Sequence, residues 1–241
     1  MKKENLSIAK VADKIKIYEK TGKIVTTNFL DPAEIMDVEN LISKLPNCCF
    51  GGFEKAERKI ILFGTEDVEI AKEWITIIRI ESNKELSHRE VLGSILGLGI
   101  KRDVIGDILL KDNQADVMVE KEIAKYILHN LEKVGHEKVN IKLNTYEELL
   151  EVEEKAKEIK TTVASLRIDA IISSGIGVSR EISTKLIQNQ KVKLNYKLLE
   201  NSSKKINVGD KISIRGYGRI ELIEVLGETR KDRIRVVLKR Y

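Results

Sequence analysis

The chain has 241 residues, of which 42% are hydrophobic and only two, Pro32 and Pro46, are proline, so it can fill two cores and extensive disorder is excluded. Two adjacent cysteines, Cys48 and Cys49, and three scattered histidines, His88, His129 and His136, offer neither a disulfide framework nor the ligand spacing of a zinc site. The formal charge of +5 is unevenly spread: from Thr161 onward 17 Lys and Arg face 8 Asp and Glu, a net +9, while the first 160 residues hold 26 against 30, a net −4.

At the start, LSIAKVADKIKIYEK sets Ile8, Val11, Ile15 and Tyr18 at helical spacing. No apolar run or small-residue cleavage site follows, so a cytoplasmic protein without a membrane span is expected. A second helix is predicted over PAEIMDVENLISKL, with Asp31 as its cap and Pro32 at the first helical position. CCFGGFEKAERKIILFG then reads as two strands joined around Gly51 and Gly52. Together these make an N-terminal region of residues 1–72.

Residues 73–143 alternate in a more informative way. WITIIRIES reads as a buried strand and SHREVLGSILGLG as a helix capped by Ser87. GDILL and ADVMV form a hairpin around KDNQ, EKEIAKYILHNLEKV is a helix, and KVNIKL closes as a strand. The order β-α-β-β-α-β predicts a ferredoxin-like, RRM-like half with antiparallel strands backed by two helices. Modules of this shape that bind single-stranded RNA stack bases on aromatics of the central strands, and neither ITIIRIES nor ADVMV offers such a platform. Over 144–160, TYEELLEVEEKAKEIK carries Leu149, Val152, Ala156 and Ile159 on one stripe with Glu and Lys four apart, which predicts a helical connector.

Residues 161–241 read as helix, turn, helix and then short strands, VKLN, KLLE, DKISIRG, RIELIEVL and RIRVVLKR. Ser179 caps the second helix, with Glu181 near the positive end of its dipole. Ile182, Leu186 and Ile187 are expected to bury, leaving Arg180, Lys185 and Gln188 toward water or a ligand. The basic charge of this third favours a polyanion, because neutralising phosphates releases condensed counterions; a solvated basic surface is the alternative.

The string from Ser165 to Arg219, SLRIDAIISSGIGVSREISTKLIQNQKVKLNYKLLENSSKKINVGDKISIRGYGR, resembles the S4 domain, an RNA-binding module. The matching elements are Arg167 to Asp169, Ser179 with Arg180, Leu186 with Ile187, Lys191 to Asn195, and Gly209 with Asp210. Two positions depart from it. Gln190 stands where a glycine usually follows the second helix, which would leave Asn189 to take the left-handed conformation, and Tyr196 replaces the glycine of an Asn-Gly turn. With FLDPAEI, FGGFEKAERK and LSHREVLGSILGLGIKRDVIGDI upstream, nearly the whole chain is similar to the YlmH family, which joins an RRM-like part to this module. The resemblance implies binding to ribosomal RNA, and to tRNA, on the large ribosomal subunit, in rescue of stalled subunits that still carry peptidyl-tRNA. It implies phosphate contacts by Arg167, Arg180, Lys185, Lys191, Lys193 and Lys197, with Ser179, Asn195 and Tyr196 in support. Asp169 is expected to be structural, pairing with an arginine or capping a helix.

His88, Arg89, Lys101 and Arg102 bracket a glycine-rich helix and read equally well as a second RNA or ribosome contact or as the solvated ends of a packed helix. Enzyme readings are weaker. GIGVSR lacks the third glycine and the flanking elements of a dinucleotide loop, and HRE at His88 to Glu90 has no companion kinase motifs. RIDAIISSG echoes a pseudouridine synthase motif, but its spacing is one residue too long and only 72 residues follow Asp169. Neither flank provides the cofactor domain of a methyltransferase. The expectation is therefore an α+β, non-catalytic, monomeric RNA-binding protein without cofactor or metal; the alternatives are an RNA-modification enzyme or accessory factor, and a protein-interaction scaffold with an incidental basic tail.

Overall fold

The structure, a computed structural model, describes residues 3–152 and 156–241 and divides into two compact units, Met1–Val152 and Glu153–Tyr241. None of the helices among the described residues is long and apolar enough to cross a membrane.

In the first unit, α1 (Lys3–Thr21) is followed by β1 (Val25–Thr26), α2 (Pro32–Ile42), β2 (Asn47–Phe50), β3 (Ile60–Phe63) and α3 (Val68–Lys72). Asp31 caps α2 as expected: its carboxylate accepts from the Glu34 N–H at 2.9 Å while Glu34 reaches back to the Asp31 N–H at 2.8 Å. The three strands form an antiparallel sheet in the order β1-β3-β2, with α1 and α2 packed through Val11, Val38, Ile61 and Phe63.

Then come β4 (Ile75–Ser82), α4 (His88–Gly97), β5 (Ile105–Lys111), β6 (Gln114–Glu120), α5 (Lys121–Asn130), β7 (Lys133–Val134) and β8 (Glu137–Asn144). Their sheet order, β5-β6-β4-β8-β7, is the expected ferredoxin-like arrangement with one short extra edge strand. Strand alternation sorts the two faces. Ile78, Ile80, Val117 and Val119 pack against Val91 and Ile95 of α4 and Ala124 and Ile127 of α5. The opposite face carries Ile75 and Met118, and here the N-terminal layer closes down, with Phe29, Ile60 and Leu62 in the same cluster.

The helix expected over residues 145–160 is not formed among the described residues; residues 153–155 lie outside them. Residues 145–152 instead strap across the β4–β6 face, where Leu149 joins the core and the Leu150 N–H donates to Asp116 at 2.8 Å. Lys157–Val163 is a strand, β9. Glu-Lys pairs four apart contribute only about 0.2–0.5 kcal/mol each to a helix. A seven-residue ladder and the half-buried Leu149 outweigh them.

The second unit continues with α6 (Ile168–Ile176), α7 (Arg180–Gln188), β10 (Val192–Leu194), β11 (Lys197–Leu198), β12 (Lys211–Ile214), β13 (Gly218–Glu228) and β14 (Ile234–Arg240). The sheet order is β11-β10-β12-β13-β14-β9, antiparallel throughout, and the unexpected β9 is an edge strand beside β14. α6 is buried on nearly every side and lies against Ile212, Ile220, Leu222 and Leu238; a Cβ at Gly175 would stand 2.6 Å from the Ile220 side chain. On α7 the buried face is Ser183, Leu186 and Ile187, whereas Ile182 is exposed. The correction follows from helical spacing: 183, 186 and 187 share the inward stripe, and 182 falls one position to its side. The left-handed residue after α7 is also not Asn189, whose φ is −83°, but Gln190 itself at +54°.

Candidate nucleic-acid interface

Arg167 is the N-cap of α6, and its position is held by backbone bonds on both sides: the Ile168 N–H donates to Lys204 O at 2.9 Å and the Ile206 N–H to Leu166 O at 3.0 Å. Ser179 is the N-cap of α7, its hydroxyl oxygen accepting from the Ile182 N–H at 3.2 Å. The turn between the helices is set by Gly177 in the left-handed region, φ +73°, and by the Ser173 hydroxyl donating to Val178 O at 2.6 Å. The two helix entrances thereby meet over one carboxylate.

That carboxylate is Asp169, which is 4% exposed. Arg167 donates to it through Nε at 3.2 Å and Nη2 at 2.9 Å, and Arg180 through Nη2 at 2.7 Å. Burial alone would raise the Asp169 pKa, but the hydrogen bonds from Arg167 and Arg180 and their charges outweigh it and hold the carboxyl below its ordinary value. The arginine side chains are 38% and 50% exposed, so each keeps N–H groups facing out while one face is anchored. One buried negative charge against two guanidiniums leaves a net positive bracket of fixed orientation. This is suited to phosphate, where the planar fork of arginine matches two oxygens.

The structure does not bring every expected residue to this bracket. Val192, Ile212, Ile214 and Ile220 point into the core beneath the helices. Their neighbours Lys193, Ser213 and Arg219, which are cross-strand partners, therefore point to the other face of the sheet. Lys191 is joined to this row through the Arg215 N–H, which donates to Lys191 O at 2.9 Å. Lys185 lies on the exposed side of α7 and pairs with Glu181 at 2.7 Å. Lys197 opens β11 beyond a two-residue turn in which Asn195 and Tyr196 have φ of +46° and +67°. The Asn195 side chain is spent on the fold, donating to Asp210 at 2.7 Å and accepting from the Lys211 N–H at 2.9 Å. Tyr196 keeps its ring under the Arg219 guanidinium, 5.5 Å from the ring centroid.

Sequence reasoning passed over Lys204 and Lys205, although Lys205 forms an isolated bridge with Arg167 and both lysines are exposed beside the bracket. The adjacent lysine pair was visible; that its loop returns to the start of α6 was not. In the first unit, His88, Arg89 and Lys101 are exposed, but Arg102 turns inward. Its Nη1 donates to Ile105 O and to Gly106 O, the latter at 3.1 Å, next to Arg58, whose Nη2 donates to Phe29 O at 2.8 Å. Burial first, and the charge of Arg58 second, lower the Arg102 pKa to about 10. His88, although exposed overall, loses hydration on the side of its ring against the protein, and this first and the Arg102 charge second lower its pKa, with Asp107 opposing. Among the described residues no group of three or more His, Cys, Asp and Glu could hold a metal ion.

Comparison with known proteins bears on the family and the fold. Residues 68–148 match the family model described as "Putative RNA-binding domain in YlmH", and residues 166–212 match the S4 domain. A protein of Bacillus subtilis (strain 168) named "Ribosome-associated protein quality control protein P2" is 31% identical over 233 residues, covering 93% of this chain and 90% of that protein. A solved structure described as "Cell division protein ylmH from Streptococcus pneumoniae" shares the fold at a TM-score of 0.56 and 21% identity, covering 63% of this chain and 96% of that one. With an S4 domain at its C-terminal end, an RRM-like sheet before it and a relative of this similarity along almost its entire length, the chain belongs to the YlmH family.

Proposed function

We propose that this protein docks on structured ribosomal RNA and tRNA of the large ribosomal subunit, without catalysis, and acts in the quality control of stalled complexes that still carry peptidyl-tRNA. The observation that carries the reading is the bracket of Arg167 and Arg180 over buried Asp169: two guanidiniums held at fixed orientation with donors outward, in a region of net +9. The name of the Bacillus subtilis relative supports association with the ribosome. Lys204 and Lys205 extend the grip beside the bracket, Lys191, Lys193 and Lys197 extend it along the β10 hairpin, and His88, Arg89 and Lys101 supply a contact from the first unit. The protein works in the cytoplasm as a monomer.

The test is co-sedimentation of the full chain with separated ribosomal subunits over a salt series. Wild type should pellet with the large subunit, and Arg167→Gln with Arg180→Gln, which keeps hydrogen-bond donors beside Asp169, should abolish this in a variant whose unfolding midpoint shows it to be folded. Undiminished binding of the double variant at moderate salt removes the bracket from the interface.

A further inference from the structure

A second concentration of positive charge lies outside the S4 match, which ends at residue 212. β13 outruns its neighbour: β12 pairs with it only as far as Glu221, while β13 continues to Glu228 with β14 as partner. Register shifts between Leu222 and Glu224 and between Val225 and Gly227 bend and twist this ribbon. At about 3.3 Å per residue, the eight steps from Glu221 to Thr229 carry its tip roughly 25 Å past the end of β12.

The tip is a built turn. The Thr229 N–H donates to Arg233 O at 2.7 Å and the Asp232 N–H to Thr229 O at 3.1 Å, with Asp232 at φ +53°. The Thr229 hydroxyl oxygen accepts from the N–H groups of Lys231 and Arg233 at 3.3 and 3.2 Å. Arg233 also ties the turn to β9, donating to the Thr162 hydroxyl at 3.0 Å and to Thr162 O at 2.6 Å. From Arg230 to Arg235 four cations face one acid, Asp232. The side chains of Arg230, Lys231 and Arg235 are exposed and, among the described residues, engage no acid.

We propose that the β13–β14 hairpin is a second phosphate-gripping element, in which Arg230, Lys231 and Arg235 contact the backbone of the same RNA that the Arg167–Arg180 bracket holds. This rests on the RNA reading above and adds a second point of attachment to it. Two modest grips on one folded unit act together, because engagement of the first places the second at high effective concentration. Exposed like charges crowded around one turn repel one another until a polyanion neutralises them, and each phosphate contact releases counterion, so the contribution is read directly from salt dependence.

The experiment measures affinity of the full chain for purified ribosomal RNA over a potassium chloride series. It compares wild type, the triple variant Arg230→Ala, Lys231→Ala, Arg235→Ala, and the charge-preserving pair Arg230→Lys, Lys231→Arg. The triple variant should bind about 10- to 100-fold more weakly near 100 mM salt, with a log–log slope shallower by about 2–3, while the charge-preserving pair keeps the wild-type slope. A triple variant with the wild-type slope overturns the hairpin and leaves the bracket standing. Wild type that fails to bind ribosomal RNA overturns the RNA reading itself, and the hairpin with it. Unchanged RNA affinity accompanied by lost co-sedimentation with ribosomes overturns the RNA contact in favour of a protein partner.

Discussion

The two units use the same chemical pair, arginine with aspartate, to opposite ends. In the first, Arg79 on β4 and Asp116 on β6 face each other across the sheet, with Nε to Oδ1 at 2.5 Å and Nη2 to Oδ2 at 2.8 Å, and Asp116 is fully buried. Further bonds tie the pair to β8 and the strap: Arg79 donates to Glu148 O at 2.6 Å, and Asp116 accepts from Asn144 at 3.2 Å and from the Leu150 N–H. The pair closes the sheet face on which other RRM-like modules stack bases. In the second unit one buried aspartate serves two half-exposed arginines, and the surplus charge and donors face outward. Whether such a pair seals a surface or equips one is decided by how many cations share the acid and how deep they lie.

Breaking the sealed pair should have the largest effect. Asp116→Ala leaves Arg79 buried without its carboxylate and should destabilise the first unit by about 3–5 kcal/mol, seen as early urea unfolding at Trp74, the chain's single tryptophan. A carboxylate in that unit without an arginine sharpens the contrast. Glu120 Oε1 has no hydrogen-bond partner among the described residues, and burial, with the charges of Asp103 and Glu122, raises its pKa to about 7. A folded-state value above the unfolded one means that the native state holds an extra proton between about pH 4.5 and 7, so stability falls as pH rises through that window. Glu120→Gln should abolish the fall and stabilise the protein by about 1–3 kcal/mol at pH 8, measured by urea titrations at pH 5 and 8.

Asp169→Asn tests the open bracket from the other side. It adds net positive charge yet releases both guanidiniums, so affinity for ribosomal RNA should fall about tenfold, or about 1.4 kcal/mol, at fixed salt. Tighter binding would mean that charge, and not orientation, is what the bracket supplies. The smallest effect is expected at Tyr196, whose φ of +67° suits glycine. Tyr196→Gly should raise the unfolding midpoint by a few degrees, equivalent to about 0.5–1 kcal/mol, and any accompanying loss of RNA affinity assigns the ring to the interface.

Much of this molecule was readable along the chain because its signals are local. Asp31 before Pro32, Ser87 before His88 and Ser179 before Arg180 are caps whose bonds reach only three residues along the chain. The β-α-β-β-α-β order follows from periodicity that each segment carries by itself. Residues 145–160 misled for the same reason: their helical stripe is real, but the bonds of Leu150 to Asp116 and of β9 to β14 join positions far apart and outweigh it. Likewise the sequence named Arg167, Asp169 and Arg180, yet only the packed helix pair put both guanidiniums on one carboxylate. Composition and local pattern thus determined the elements, their order and the basic character of the second unit. The tertiary structure alone decided which face of each sheet is closed and which cations share a surface, because those outcomes depend on burial and on contacts that no short stretch of chain encodes.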